Sequence, residues 1–223
     1  MEKTQVLKQI EDIGLLPVLR ANSSAQAIAI ADAIIAGGIS ALEVTMTVPG
    51  AIEVIQALVK QSKGSLLVGA GSVLDPETAR ACMLAGAQFI VSPVLNFKTI
   101  KLCRRYGVAV MPGALTPTEV LAAWEAGADV VKVFPCSSVG GAKYLKALHG
   151  PMPQLKLIPT GGVSLATAEE FLRAGAFALG VGSDLVDAKA VEQGRPEVIT
   201  ETAAKYLAIV KKVRADSSTG TTR

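Results

Sequence analysis

Short apolar runs recur at near-regular spacing along the chain, and most are followed by a segment with helical periodicity. The runs fall at 15–20, 40–45, 66–71, 88–92, 108–113, 129–134, 156–160 and 178–182. Helices are predicted between them, at 24–36, 51–61, 76–85, 118–126 and 165–174 among others. Many end in a small residue followed by glycine: Ala36-Gly37, Ala85-Gly86, Ala126-Gly127 and Ala174-Gly175. Glycine there takes the left-handed conformation that closes a helix without a Cβ penalty. Asp75-Pro76, Thr116-Pro117 and Ser164 supply caps at the opposite ends.

Strand and helix alternating eight times imply parallel pairing with right-handed crossovers. The expected α/β fold is therefore a closed (β/α)8 TIM barrel. A doubly wound open sheet is the alternative, but it would often carry GxGxxG after the first strand, and none follows Arg20. Val6, Ile10 and Ile13 have helical spacing and predict an extra N-terminal helix over the barrel bottom. Residues 1–214 form the expected single domain, and ADSSTGTTR at 215–223 reads as a disordered tail.

Composition narrows the class. Half of the 223 residues are hydrophobic, 18% are charged and 4% are aromatic, which suits a packed α/β core and excludes a disordered chain. A net charge of +3 without a basic run argues against nucleic acid and leaves only weak steering of anions. The N-terminus carries acidic residues unlike a signal peptide, and no apolar run has membrane-spanning length, so a cytoplasmic protein without a membrane partner is expected. Cys82, Cys103 and Cys136 lack CxxC spacing and read as reduced thiols. No His, Cys and acidic cluster has metal-ligand spacing, so no metal is expected.

In such barrels the working residues lie at the C-terminal ends of strands. Lys132, in Val-Val-Lys-Val-Phe-Pro, sits near a strand end between apolar residues. An ammonium there is costly and tends to lose its proton, and a neutral amine can attack a ketone. The bland alternative is a lysine that snorkels to solvent, which fits Lys156 at the start of its strand better. In Ala41-Leu42-Glu43-Val44-Thr45, alternation turns Ala41, Glu43 and Thr45 inward. Glu43 is either a general acid/base or half of a structural pair with Arg20, which ends the neighbouring strand. Thr45, Thr47 and Phe134 are further candidates for substrate contact. Pro159-Thr160-Gly161-Gly162-Val163-Ser164 opens a helix after the seventh strand, and Gly180-Val181-Gly182-Ser183 ends the eighth. Amides freed by glycine, with a helix N-terminus, make an anion cradle where barrels most often hold phosphate. Gly69-Ala70-Gly71-Ser72-Val73 and Ser92-Pro93 bring small residues and hydroxyls to the same rim. His149 sits near a helix end before Gly150-Pro151 and reads as a cap rather than a catalyst.

The ordered segments Pro17-Val18-Leu19-Arg20, Leu42-Glu43-Val44-Thr45, Gly69-Ala70-Gly71-Ser72-Val73, Ile90-Val91-Ser92-Pro93, Met111-Pro112-Gly113, Val131-Lys132-Val133-Phe134-Pro135, Pro159-Thr160-Gly161-Gly162 and Gly182-Ser183 cover most of the chain. Together they resemble the family of 2-keto-3-deoxy-6-phosphogluconate (KDPG) and 4-hydroxy-2-oxoglutarate (KHG) aldolases. The resemblance implies a class I aldolase in which Lys132 forms an imine with pyruvate and Glu43 moves protons. It implies that Arg20, Ser72, Pro93 and Thr160 line the pyruvate end, and that Gly161, Gly162, Gly182 and Ser183 hold phosphate. It also implies keto-acid and aldehyde substrates, a homotrimer, and neither metal nor organic cofactor. The chain departs from the family at Met46-Thr47-Val48, where some members carry arginine, and at Cys136-Ser137-Ser138, where many carry glutamate. Ser72 stands where threonine is usual. Two other readings of the barrel are a non-covalent phosphate-binding isomerase or synthase, and a silent metabolite-binding barrel.

Overall fold

The computed structural model describes residues 1–219, with side chains through Ser217. Its strands are β1 (Leu15–Leu19), β2 (Ala41–Thr45), β3 (Leu67–Gly71), β4 (Phe89–Val91), β5 (Ala109–Met111), β6 (Gly113–Ala114), β7 (Val131–Val133), β8 (Leu157–Pro159) and β9 (Leu179–Val181). The helices are α1 (Lys3–Ile13), α2 (Ser24–Ala36), α3 (Ala51–Ser62), α4 (Pro76–Leu84), α5 (Phe97–Arg105), α6 (Pro117–Glu125), α7 (Ala142–His149), α8 (Ala168–Arg173), α9 (Ala188–Glu192) and α10 (Glu197–Thr219).

All strand pairs are parallel, in two arcs ordered β5-β4-β3-β2-β1-β9 and β6-β7-β8. The fifth apolar run is split by Pro112, whose missing N–H interrupts the ladder between β5 and β6. Backbone bonds from Asp129 N to Val110 O and from Lys132 N to Pro112 O join the arcs on that side. On the other side they meet through the Thr160–Gly180 bridge and the bond from Phe177 N to Leu157 O.

Residue alternation sorts the apolar side chains into two layers. Leu42, Val44, Val68, Ile90, Val131 and Val133 face outward and pack with helix residues such as Ile30, Val54 and Tyr206. Leu16, Ala41, Leu67, Phe89, Met111 and Ile158 fill the curl of the sheet, where Val6 and Ile10 of α1 join them. Lys3 fastens α1 by a 2.7 Å ion pair to Asp129, which also accepts from Val110 N.

Several local expectations are corrected. At the end of α2, Gly38 (φ +92°) takes the left-handed conformation, while Gly37 stays right-handed at φ −76°. Ser164 caps no helix, because residues 164–167 form a turn and α8 starts only at Ala168. Residues 215–219, assigned to a disordered tail, instead continue α10. The ion pairs of Lys212 with Glu169 and Arg173 with Asp216 hold that helix against α8. The rest of that segment, 220–223, lies outside the described residues.

Candidate active site

β7 delivers Lys132 to the interior because Val131 and Val133 take the outward positions. Its neighbours in register are Gly113 on one side and Ile158 on the other. The glycine admits the Pro93 backbone, since a Cβ at Gly113 would lie 2.3 Å from the Pro93 carbonyl oxygen. Lys132 is 6% exposed, and its Nζ lies 5.4 Å from the centre of the Phe134 ring, within reach of the ring's negative face.

Glu43 enters from β2, and its Oε1 is 3.6 Å from Lys132 Nζ, with side-chain exposures of 2% and 7%. This corrects the expected Arg20 partner. The register pairs Glu43 with Val18, so Arg20 falls two residues further along, past the end of β1, and is exposed. Burial pushes the Glu43 carboxyl above its ordinary value of 4.5, with Lys132 and, more weakly, Arg20 pulling the other way. Glu43 Oε1 itself has no hydrogen-bond partner. Its space is made by Gly71, where a Cβ would stand 2.6 Å from that oxygen. Gly71 was not singled out as a site residue, although glycine at an inward strand position signals close approach and could have marked it.

Two residues beyond Lys132 and its partner Ile158, the strands open into a mouth. A cavity of about 240 Å³ there is lined by Val18, Arg20, Phe134, Thr160, Gly161, Gly162, Gly182 and Ser183. Neither Lys132 nor Glu43 is among the residues of this wall, although Val18, which stands opposite Glu43 in register, is. Both Gly161 (φ +86°) and Gly162 (φ +77°) are left-handed, and a Cβ on Gly162 would come within 2.2 Å of Ser137 Cβ. The expected helix N-terminus is not at this turn, since α8 begins only at Ala168, so any cradle is built from the turn itself. Thr160 is 6% exposed, and its Oγ1 has no hydrogen-bond partner. It occupies space left by Gly180, where a Cβ would lie 2.1 Å away.

The remaining candidates are dispersed around this centre. Thr45 Oγ1 bonds Leu19 O at 3.0 Å and Thr47 Oγ1 at 2.7 Å, so Thr45 gives its proton to the carbonyl and accepts from Thr47. Thr47 is exposed. Ser72 follows β3 with φ +56°, a left-handed conformation unusual outside glycine. Ser72 and Pro93 are half-buried and lie outside the wall of the 240 Å³ cavity.

The three cysteines are buried, and burial lifts their thiols to about 11 for Cys82 and Cys136 and about 12 for Cys103. His149 places its two ring nitrogens 3.1 Å from Ala174 O and Leu155 O, in a bracing position between loops. Larger cavities of about 630 and 580 Å³ lie at the opposite end, around α1 and α10. Among the described residues no helix is long and apolar enough to cross a membrane.

A curled parallel sheet with a buried lysine–carboxylate pair near the C-terminal ends of its strands defines an aldolase-type α/β enzyme. Residues 6–202 match the family model "KDPG and KHG aldolase", and the chain belongs to that family. It is 34% identical to the 2-dehydro-3-deoxy-phosphogluconate aldolase of Treponema pallidum, over 92% of this chain and 97% of that one. It is 35% identical to the KHG/KDPG aldolase of Escherichia coli K12, covering 85% and 88% respectively. Among solved structures, Legionella pneumophila KDPG aldolase, with pyruvate captured as a covalent carbinolamine, superposes with a TM-score of 0.84. That structure is 31% identical, over 91% of this chain and 98% of that one.

Proposed function

We propose that this enzyme is a class I aldolase that cleaves a 2-keto-3-deoxy-6-phospho acid such as KDPG to pyruvate and glyceraldehyde 3-phosphate, and KHG to pyruvate and glyoxylate. The observation that carries the reading is the Lys132–Glu43 pair, buried and 3.6 Å apart. The Lys132 amine adds to the C2 ketone, and loss of water leaves an iminium. Glu43, through a water, takes the C4 hydroxyl proton. The C3–C4 electron pair then passes into the iminium as an enamine, and the aldehyde departs. Return of a proton to the enamine carbon and hydrolysis free pyruvate and the amine. No metal or organic cofactor enters these steps.

Arg20, Thr45, Thr47, Ser72, Pro93, Phe134 and Thr160 are assigned to substrate contact, and Gly161, Gly162, Gly182 and Ser183 to phosphate. Arg20, Phe134, Thr160 and all four phosphate candidates share one cavity wall, which supports this division. We further propose that the two arcs close as an eight-stranded barrel, with β5 and β6 forming one strand. The backbone bonds from β7 to the β5–β6 segment, and the Thr160–Gly180 bridge, support closure. The chain is proposed to work as a cytoplasmic homotrimer. Leu74, Val94 and Phe97 support a subunit contact: all three are exposed, and Asn96 Nδ2 bonds Leu74 O.

Incubation with pyruvate and borohydride, then peptide mapping by mass spectrometry, tests the chemistry. A reduced pyruvyl adduct on Lys132 is expected. A folded sample without adduct would replace this reading with non-covalent phosphate chemistry on the same scaffold.

A further inference from the structure

The two glycine turns assigned to phosphate sit on either side of the seam between β8 and β9. Backbone pairing there is sparse, with the bond from Phe177 N to Leu157 O near one end and the Thr160–Gly180 bridge near the other. Beyond Thr160 the chain leaves the ladder, and left-handed Gly161 and Gly162 have no ladder bonds across to Gly182 and Ser183. A different link spans the gap. Asp184, next in sequence to Ser183, accepts from Leu165 N at 3.1 Å through Oδ2, and Leu165 closes the loop that begins at Gly161. The same oxygen accepts from the hydroxyl of Tyr206. Tyr206 is fully buried on α10, so its ring is held by the outer core layer. Leu185 N and Val186 N both return to Gly182 O, which makes the Asp184 turn compact and ties it directly to Gly182.

We infer that Asp184, held by Tyr206, is a positioning residue that sets the spacing of the two glycine turns and thereby the fit of the substrate's phosphate. The inference rests on the reading of those turns as the phosphate site. Asp184 touches no reacting atom in this scheme. Anion recognition by backbone amides depends on the direction of each N–H, and a turn that shifts by a fraction of an ångström loses part of its bond. The pair bonded to Asp184 thus acts on binding of the phosphorylated end, while Lys132 and Glu43 sit on β7 and β2, in neither of the two turns.

The test is steady-state kinetics of Tyr206→Phe, Asp184→Ala and Asp184→Asn on KDPG and on the same acid without phosphate. The rate of borohydride-trapped pyruvate adduct on Lys132 is measured alongside. Tyr206→Phe and Asp184→Ala are expected to raise KM for KDPG about five- to tenfold, the loss of one well-placed hydrogen bond. KM for the unphosphorylated acid and the adduct rate should stay within about twofold. Asp184→Asn keeps an oxygen that accepts both bonds and should return most of the KDPG affinity. Tyr206→Phe retains the buried ring, so it reports even where Asp184→Ala fails to fold. Unchanged KM for KDPG in variants of an enzyme that does prefer the phosphorylated acid would overturn the inference alone. Equal losses on both acids and in adduct formation would also overturn it, by reducing the link to a general structural brace. A wild-type enzyme that treats the two acids alike would remove the phosphate site itself, and the inference with it.

Discussion

Glu43, Lys132 and Thr160 bring polar atoms into a nearly dry interior, at 1%, 6% and 6% exposure. Each is costly for folding and useful for chemistry. Lys132→Arg replaces an amine that can add to a ketone by a bulkier, permanently charged guanidinium. Turnover and adduct formation should both vanish while circular dichroism is unchanged; residual turnover would move the nucleophile elsewhere. Glu43→Gln should slow cleavage by roughly 100- to 10,000-fold, as expected for a lost general base. Because burial raises the Glu43 carboxyl, the acid limb of kcat/KM should lie above pH 4.5 in the wild type and disappear in that variant. The same shift links to stability. Folded Glu43 holds its proton more tightly than the unfolded chain, so stability is greatest below the unfolded value and declines as pH rises through the raised folded one. Urea melts across that range should show a flatter profile for Glu43→Gln. Thr160→Val removes a buried hydroxyl that lacks a partner and keeps its shape. Stability should rise by up to about 1 kcal/mol while KM increases, a trade visible by pairing melts with kinetics.

At the scale of elements, glycine decides where side chains can approach one another. Gly162→Ala meets two obstacles: φ +77° and a Cβ only 2.2 Å from Ser137 Cβ. The backbone strain alone costs about 1–2 kcal/mol. KM for the phosphorylated substrate should rise, and adding Ser137→Gly should recover part of the loss by removing the overlap but not the strain. Recovery to full affinity would show that the positive φ matters little. Most strands and helices were legible in the chain because apolar alternation, Asp75-Pro76 and Thr116-Pro117 are local signals. The 3-10 turn Cys136–Val139 and the late start of α8 carry no such signal, whereas short α9 has a local one in its Asp187 cap.

Across the whole molecule, legibility falls wherever the answer depends on register. Lys132 and Glu43 were readable as inward-facing residues near strand ends. Their mutual pairing was not, because nothing near Arg20 reveals that Val18 stands opposite Glu43. The helical run to Thr219 was hidden for a related reason: its polar sequence is held by Glu169 and Arg173, more than forty positions away. Assembly belongs to this scale as well. Native mass spectrometry should give a species at three times the 23.0 kDa chain mass, and Phe97→Asp should shift it toward the single-chain mass. A wild-type monomer would leave the exposed Leu74, Val94 and Phe97 without that explanation.

The place of Lys132 on β7, two residues before the wall residue Phe134, has a consequence for how such an enzyme can change. The amine and the carboxylate are borne by strands, whereas Gly161, Gly162, Ser183 and Ser137 are borne by turns. The reaction and the proposed grip on phosphate are therefore encoded in separate stretches of sequence. A library varied at 137–138, 162–164 and 183 would search new aldehyde partners against a constant nucleophile, with each surviving clone scored by the same trapped adduct.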